Sequence, residues 1–227
     1  MKLLLLFPNM ANWATISTAI PILSGIAKSR CWEVEYFDTY NYEKRVDSSS
    51  DKEKAGGFKP GFSLLKGKTK PFSQIKLDLQ QRINEFQPDL IAITALSQEY
   101  ELLLKFFPEI RVPSETKVII GGIHAILERD GVIETKLFDL VVFSEAEAVF
   151  DSILSKIENH KQLGGINGTY FYNRMTKETL RYPKIKLLKP EELWKVKRDF
   201  SIFNEIYFIR PFDGKQIRRY DVETARG

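Results

Sequence analysis

The stretch PDLIAITALSQEY, residues 88–100, sets the fold of this chain. Within it, residues 90–95 form a short apolar run, rich in β-favouring isoleucine and broken only by Thr94. A strand covered by helices on both faces reads this way, because neither of its faces alternates with water. Pro88 and Asp89 punctuate its start, and residues 97–99 offer N-cap chemistry for a following helix. The bend Thr94-Ala95-Leu96-Ser97 therefore falls at the carboxyl end of a central strand, where open α/β sheets bind their ligands.

Further strands read outward from this one. Residues 2–7 predict the first strand and residues 33–38 a second, nearer the sheet edge; 117–120 and 140–143 predict the fourth and fifth. Helical spacing fills the intervals. Leu23, Ile26 and Ala27 share one face, with Pro21 tolerated in the first turn. Ile75, Leu79, Ile83 and Phe86 mark the next helix. Leu102, Leu103, Phe106, Phe107 and Ile110 mark another, disturbed by Pro108 and stopped by Pro113. Ile126, Val132 and Ile133 suggest a short helix, and Val149, Ile153, Leu154 and Ile157 a last one. Five strands alternating with five helices predict an α/β domain over residues 1–160, a doubly wound five-stranded parallel sheet of flavodoxin-like or Rossmann-like kind. Residues 164–185 predict a β-hairpin, with 169–172 and 179–182 flanking the polar turn 173–178. Residues 186–227, mixed aromatic and charged, predict a linker that packs along a surface, and 217–224 offer one more strand.

A chain of 227 residues with 43% hydrophobic content supplies one core of ordinary size plus attachments. The net charge of +4 comes from lysines and arginines interleaved with acids. The densest basic stretch, 52–70, lacks regular aromatic interleaving and reads as a solvated loop ahead of a nucleic-acid contact. It lies within 40–72, a connection without periodicity, of the kind that is mobile or functional. Gly67-Lys68-Thr69 inside it imitates the end of a phosphate-binding P-loop, but Phe62 stands where that motif needs glycine. Cys31 is the only cysteine, which excludes a disulfide framework or a cysteine metal site within the chain. The apolar start is too short for a signal peptide, and no run approaches a membrane span. The chain is accordingly expected in the cytoplasm, with neither nucleic acid nor membrane as partner, and the sequon Asn167-Gly168-Thr169 marks only a turn.

Four loops leave the carboxyl edge of the predicted sheet: 9–17, 94–98, 121–125 and 144–147. Gly121-Gly122 either lets a ligand approach the backbone or makes a tight strand-to-helix turn. His124 is open to three readings, as a metal ligand, a contact at the rim, or a hydrogen-bonded histidine at a helix start. Glu145 and Glu147 suit a helix N-terminus electrostatically, ahead of any acid–base role. His160 reads as a solvated loop residue. No residue is singled out as catalytic.

Four pieces in order, PNMAN, PDLIAITALSQEY, VIIGGIHA and VVFSEAEAVF, resemble the N-terminal cobalamin-binding domain of radical S-adenosylmethionine enzymes over residues 1–158. The ending RYDVETARG resembles the lead-in to that family's catalytic barrel, where Arg-Gly precedes a CxxxCxxC cluster motif. The resemblance implies a truncated protein: a cobalamin-binding module whose partner is a radical SAM domain of the same protein, carrying a [4Fe-4S] cluster and S-adenosylmethionine. Methyl transfer is one reaction the resemblance admits; it fixes neither the substrate nor the reaction subtype. Thr94-Ala95-Leu96 matches a Ser/Thr-x-Leu element lining the cavity for the cobalamin nucleotide tail, and Gly121-Gly122 matches the glycines against which that tail lies. Ser144-Glu145-Ala146-Glu147 resembles a Gly-Glu-Gly-Glu element with both glycines replaced. The first loop, Asn9-Met10-Ala11-Asn12-Trp13-Ala14, holds no histidine, so the resemblance implies cobalamin bound without an imidazole from that loop. The implied cofactor contacts are Asn9, Asn12, Thr94, Ala95, Leu96, Ser97, Gly121, Gly122, His124, Ser144 and Glu145. Two alternatives stand beside this reading: a scaffold domain that keeps the fold and binds nothing, and a flavin or nucleotide module.

Overall fold

The computed structural model describes residues 1–11, 14–43, 69–185, 187–193, 197–212 and 215–218. Most of the 40–72 connection, with its Gly67-Lys68 pair, lies outside the described residues, as do Asn12, Trp13 and the ending from 219 onward.

Strands β1 (Lys2–Phe7), β2 (Glu33–Asp38), β3 (Leu90–Thr94), β4 (Lys117–Gly121) and β5 (Leu140–Val142) pair in parallel in the order β2-β1-β3-β4-β5. The all-apolar run of β1 is explained by its two destinations. Leu3 and Leu5 pack with α1 (Ala19–Ser29) and α6 (Ala146–Glu158) on one face. Leu4 and Leu6 pack with α2 (Gln74–Phe86), α3 (Ser97–Leu104), α4 (Ile123–Leu127) and α5 (Arg129–Glu134) on the other. All four are fully buried, and each contributes about 1.5–3 kcal/mol. α3 gives way to a 3-10 turn at Phe107–Glu109, which carries Pro108, as the proline spacing predicts.

The sheet has seven strands, which corrects the expectation of five with a separate hairpin. β6 (Thr169–Asn173) pairs antiparallel with β5, matching Leu140 to Phe171 and Val142 to Thr169, and β7 (Glu178–Tyr182) pairs with β6. The hairpin is not free-standing because β5 would otherwise present an open edge of unpaired amides. Buried Asp139 reinforces the joint: its Oδ2 accepts from Val118 N at 2.7 Å, and its Oδ1 lies 2.7 Å from Arg174 Nε in the hairpin turn. β8 (Ile209–Phe212) and β9 (Lys215–Arg218) form a small separate ribbon, so only the first part of the predicted strand at 217–224 falls within the described residues.

Between β7 and β8 the chain crosses back over the face carrying α1 and α6. Leu188 N donates to Glu145 Oε2 at 2.6 Å, at the start of α6. After the short helix α7 (Pro190–Leu193), Asp199 meets α1: Ser24 Oγ donates to Asp199 Oδ2 at 2.6 Å, Lys28 Nζ lies 2.9 Å away, and Asp199 N donates to Pro21 O. Partial burial works against ionisation of Asp199, but the bonds from Ser24, Lys28 and Ser201 prevail and hold its carboxyl at about 2. Phe203 and Tyr207 then close edge-on against Tyr36 of the edge strand β2. This strap explains a glycine in mid-helix, a position that costs about 1 kcal/mol relative to alanine. A Cβ on Gly25 would collide with the carbonyl oxygen of Lys197. Gly25→Ala should therefore keep α1 but lift the strap, and trypsin should cut at Lys197 and Arg198 several times faster than in the wild type. Unchanged digestion would show that the strap is not seated on that glycine.

Candidate functional site

The carboxyl ends of β3, β4 and β5 floor a narrow slot of ≈ 50 Å³ between α1 and α6. Its origin is legible along two strands. On the face towards α1 and α6, β3 runs Leu90, Ala92, Thr94, and β4 runs Ile119, Gly121, so the side chains shrink towards the carboxyl edge. The walls are Ala19 and Leu23 from α1 and Ala146, Val149, Phe150 and Ile153 from α6. Among the described residues, Thr94 and Ser144 bring the only side-chain hydroxyls to the lining.

Thr94 is 7% exposed, and no hydrogen bond to its hydroxyl is seen among the described residues. Thr94 contributes to the lining of the slot, where its hydroxyl is open to a hydrogen bond from a ligand. The backbone at the mouth is already engaged: Ala95 N donates to Gly121 O at 3.2 Å, His124 N to Ala95 O at 3.2 Å, and Ile126 N to Gly122 O at 3.2 Å.

The two glycines of the pair differ. A Cβ on Gly121 would sit 3.6–3.7 Å from Val142, in ordinary contact. Gly122 has φ 97° and ψ 178°, a region essentially closed to other residues. Its hypothetical Cβ would lie 2.6 Å from Ala95 O and 2.8 Å from Ala95 N. Close approach of the β3 and β4 loops therefore demands glycine at 122, with or without a ligand.

The remaining predicted contacts scatter. Ala95 is buried on the opposite face of the sheet. Leu96 is half-exposed at the start of α3. His124 stacks on Tyr100 with centroids 4.1 Å apart, and its Nδ1 lies 3.1 Å from Ser97 Oγ. Partial burial lowers the pKa of His124, with Glu128 and Glu101 opposing. This histidine clips α3 to α4 and is not among the slot-lining residues. Ser144 lines the slot and also meets Gly168, where a Cβ would collide with the serine's own. The Glu145 carboxylate holds the strap. Asn9 is buried beside β2, its Oδ1 accepting from Ala11 N at 2.8 Å and its Nδ2 donating to Asp38 Oδ2 at 3.4 Å. Asn12 lies outside the described residues.

Two carboxyls at this edge were not anticipated. Burial pushes Asp38 up to about 6, against hydrogen bonds from Tyr40 N at 2.7 Å, Tyr36 Oη at 3.0 Å and Asn9. Burial pushes Glu99 up to about 7, against the bond from Leu96 N to its Oε2 at 2.7 Å, and the charge of Asp38 adds to the rise. Glu99 had a readable signal, since an acid at the third helical position reaches back to the start of its helix. Beside β2 a larger hollow of ≈ 340 Å³ opens, but several of its polar groups pair with one another, as Lys70 and Tyr42 do with Asp78. Among the described residues no group of His, Cys, Asp and Glu is placed to hold a metal ion, and no helix is long and apolar enough to cross a membrane.

No protein-family model and no curated protein matches this chain. Solved structures do. The radical S-adenosylmethionine methyltransferase TsrM from Kitasatospora setae, with tryptophan substrate and a SAM analogue bound, superposes at TM-score 0.54 and 16% identity, covering 80% of this chain. The cobalamin-dependent S-adenosylmethionine radical enzyme OxsB, with aqua-cobalamin and S-adenosylmethionine bound, superposes at TM-score 0.53 and 12% identity, covering 82%. The chain spans 30% of the first and 22% of the second. At such identities the shared property is the fold: this α/β sheet, with its flanking helices, is built like part of these enzymes.

Proposed function

We propose that this chain is the cobalamin-binding module of a radical S-adenosylmethionine enzyme, with its partner domain on the same protein and methyl transfer as the reaction subtype. The observation that carries the reading is the slot between α1 and α6, lined by apolar side chains together with the hydroxyl-bearing Thr94 and Ser144. The lining has the chemistry a nucleotide tail takes: small and apolar side chains at the carboxyl edge suit a flat ring, and Thr94 offers it one hydrogen bond. Thr94, Gly121 and Ser144 would hold the tail, with Gly122 shaping the turn beside them. When bound, the corrinoid would supply a cobalt centre to the whole enzyme; this chain's share is to bind and orient it. Asn9 is committed to Asp38 and the first loop, so cobalamin would be held without a ligand from that side chain. Neither the [4Fe-4S] cluster nor S-adenosylmethionine would be held by this module.

Purified protein mixed with hydroxocobalamin and desalted should keep the corrinoid's visible absorption at close to one equivalent. Well-folded protein that retains none would overturn the reading and favour the scaffold domain.

A further inference from the structure

We propose that the hollow beside β2 binds a small aliphatic amine in its ammonium form; this stands apart from the cobalamin-binding reading and does not depend on it. The hollow, ≈ 340 Å³, opens along the outer edge of the sheet, between β2, α2 and the returning strap at Tyr207. Its charges do not balance. Of its two cationic side chains, Lys70 is taken by Asp78, and Arg82 lies 2.8 Å from Glu35. Asp38 and Glu85 remain, and among the described residues neither forms an ion pair. Glu85 is exposed, but Asp38 is only 9% exposed. Its neighbours Tyr36 Oη, Tyr40 N and Asn9 Nδ2 supply hydrogen bonds without a positive charge, and burial pushes its carboxyl up. A carboxylate withdrawn from water in this way favours a cation beside it.

The lining selects the kind of cation. A metal ion needs several ligand groups converging on one point, and among the described residues no group of His, Cys, Asp and Glu is so placed. An organic ammonium also uses aromatic faces, and Tyr36, Tyr40, Tyr42 and Tyr207 all line the hollow. One wall already holds an ammonium in this manner: Lys70 Nζ pairs with Asp78 and lies 5.6 Å from the centroid of the Tyr42 ring. Asp38 repeats the combination of carboxylate and rings. Tyr36 donates to it, and Tyr36 and Tyr40 stand edge-on to Tyr207 at 5.7 and 5.5 Å. No ammonium from the described residues reaches this second seat. A neutral polyol would find hydrogen bonds there but would leave the charge of Asp38 uncompensated.

Calorimetric titration with putrescine at low salt, where charges are least screened, should show saturable binding. The uncharged 1,4-butanediol, of matching length, should show none. Asp38→Asn removes the charge and keeps an acceptor for Tyr40 N. It should weaken putrescine roughly tenfold or more, the scale of one hydrogen bond to a charged group. Glu85→Gln, at an exposed position that leaves folding untouched, should weaken putrescine about two- to fivefold, as an exposed ion pair does. Circular dichroism checks the fold of both variants. Absence of putrescine binding by folded wild-type protein would overturn the proposal, as would equal binding of the two ligands or full putrescine affinity in folded Asp38→Asn. If Asp38→Asn fails to fold, the two wild-type titrations and Glu85→Gln decide, and unchanged putrescine affinity in Glu85→Gln then overturns it.

Discussion

Gly122→Ala should lower the unfolding free energy by upward of about 3 kcal/mol, and Gly122→Val by more. Two costs combine. The backbone at φ 97° and ψ 178° must be held by a residue with a Cβ, at about 1–3 kcal/mol. That Cβ would also stand 2.6 Å from Ala95 O, well inside contact distance, so the β3 and β4 loops would have to separate. Separation breaks the bonds from Ala95 N to Gly121 O and from His124 N to Ala95 O. For a chain of this length each kcal/mol moves the melting temperature by about 2–4 °C, so Gly122→Ala should melt roughly 6–12 °C lower. Thermal denaturation followed by far-ultraviolet circular dichroism reads this directly, without any ligand. Gly121→Ala is the contrasting control: its Cβ meets Val142 at 3.6 Å and φ carries no penalty, so its melting temperature should stay near the wild type. An unchanged melting temperature for Gly122→Ala would show that the two loops do not approach as closely as described.

The contrast within this glycine pair shows where sequence reading reached and where it stopped. Paired glycines after a buried strand announce a tight passage, but the sequence does not say whether a ligand or a neighbouring loop makes it tight. The five parallel strands were legible because burial on both faces leaves uninterrupted apolar runs such as Leu3–Leu6 and Leu90–Ile93, and the helices were legible from Ile75, Leu79, Ile83 and Phe86. The place of the hairpin was not, because pairing of Leu140 with Phe171 depends on which edge is open, a property of the assembled sheet. The strap escaped for the same reason: Gly25 and Asp199 lie far apart in sequence, and their fit needs both α1 and the crossing chain. The slot was half-visible. The Thr94 bend and the shrinking of Ile119 to Gly121 can be read from strand alternation, but the walls from α1 and α6 require the packed helices.

Glu99→Gln should make the protein more stable at pH 8 while leaving it nearly unchanged at pH 4. Glu99 has its carboxyl raised from 4.5 to about 7 in the folded chain, chiefly by burial. A folded-state value above the unfolded one means that the native state holds its proton longer. The stability tied to that proton is fully present below pH 4.5 and is lost as pH rises through about 7. Across this gap the loss approaches about 3 kcal/mol, at about 1.4 kcal/mol for each unit of pKa. Glutamine is uncharged throughout and can still accept the bond from Leu96 N, so it should match the protonated glutamic acid at pH 4. By pH 8 the gap should open to about 3 kcal/mol in favour of Glu99→Gln, a rise of roughly 1 M in the urea midpoint. Asp38, raised to about 6, remains in the variant and keeps its own decline between pH 4 and 6. The variant should therefore remove the share of the decline that Glu99 causes between about pH 4.5 and 7. Urea titrations at several pH values separate the limbs; parallel wild-type and Glu99→Gln profiles up to pH 8 would mean that Glu99 ionises at no cost. The opposite limb belongs to Glu158, held at about 2 by the hydrogen bonds from Arg30 and Trp32, whose contribution disappears only as pH falls from about 4 towards 2. With one set of carboxyls losing stability upward and another downward, both proteins should be most stable in mildly acidic solution, and Glu99→Gln should carry that stability to neutrality.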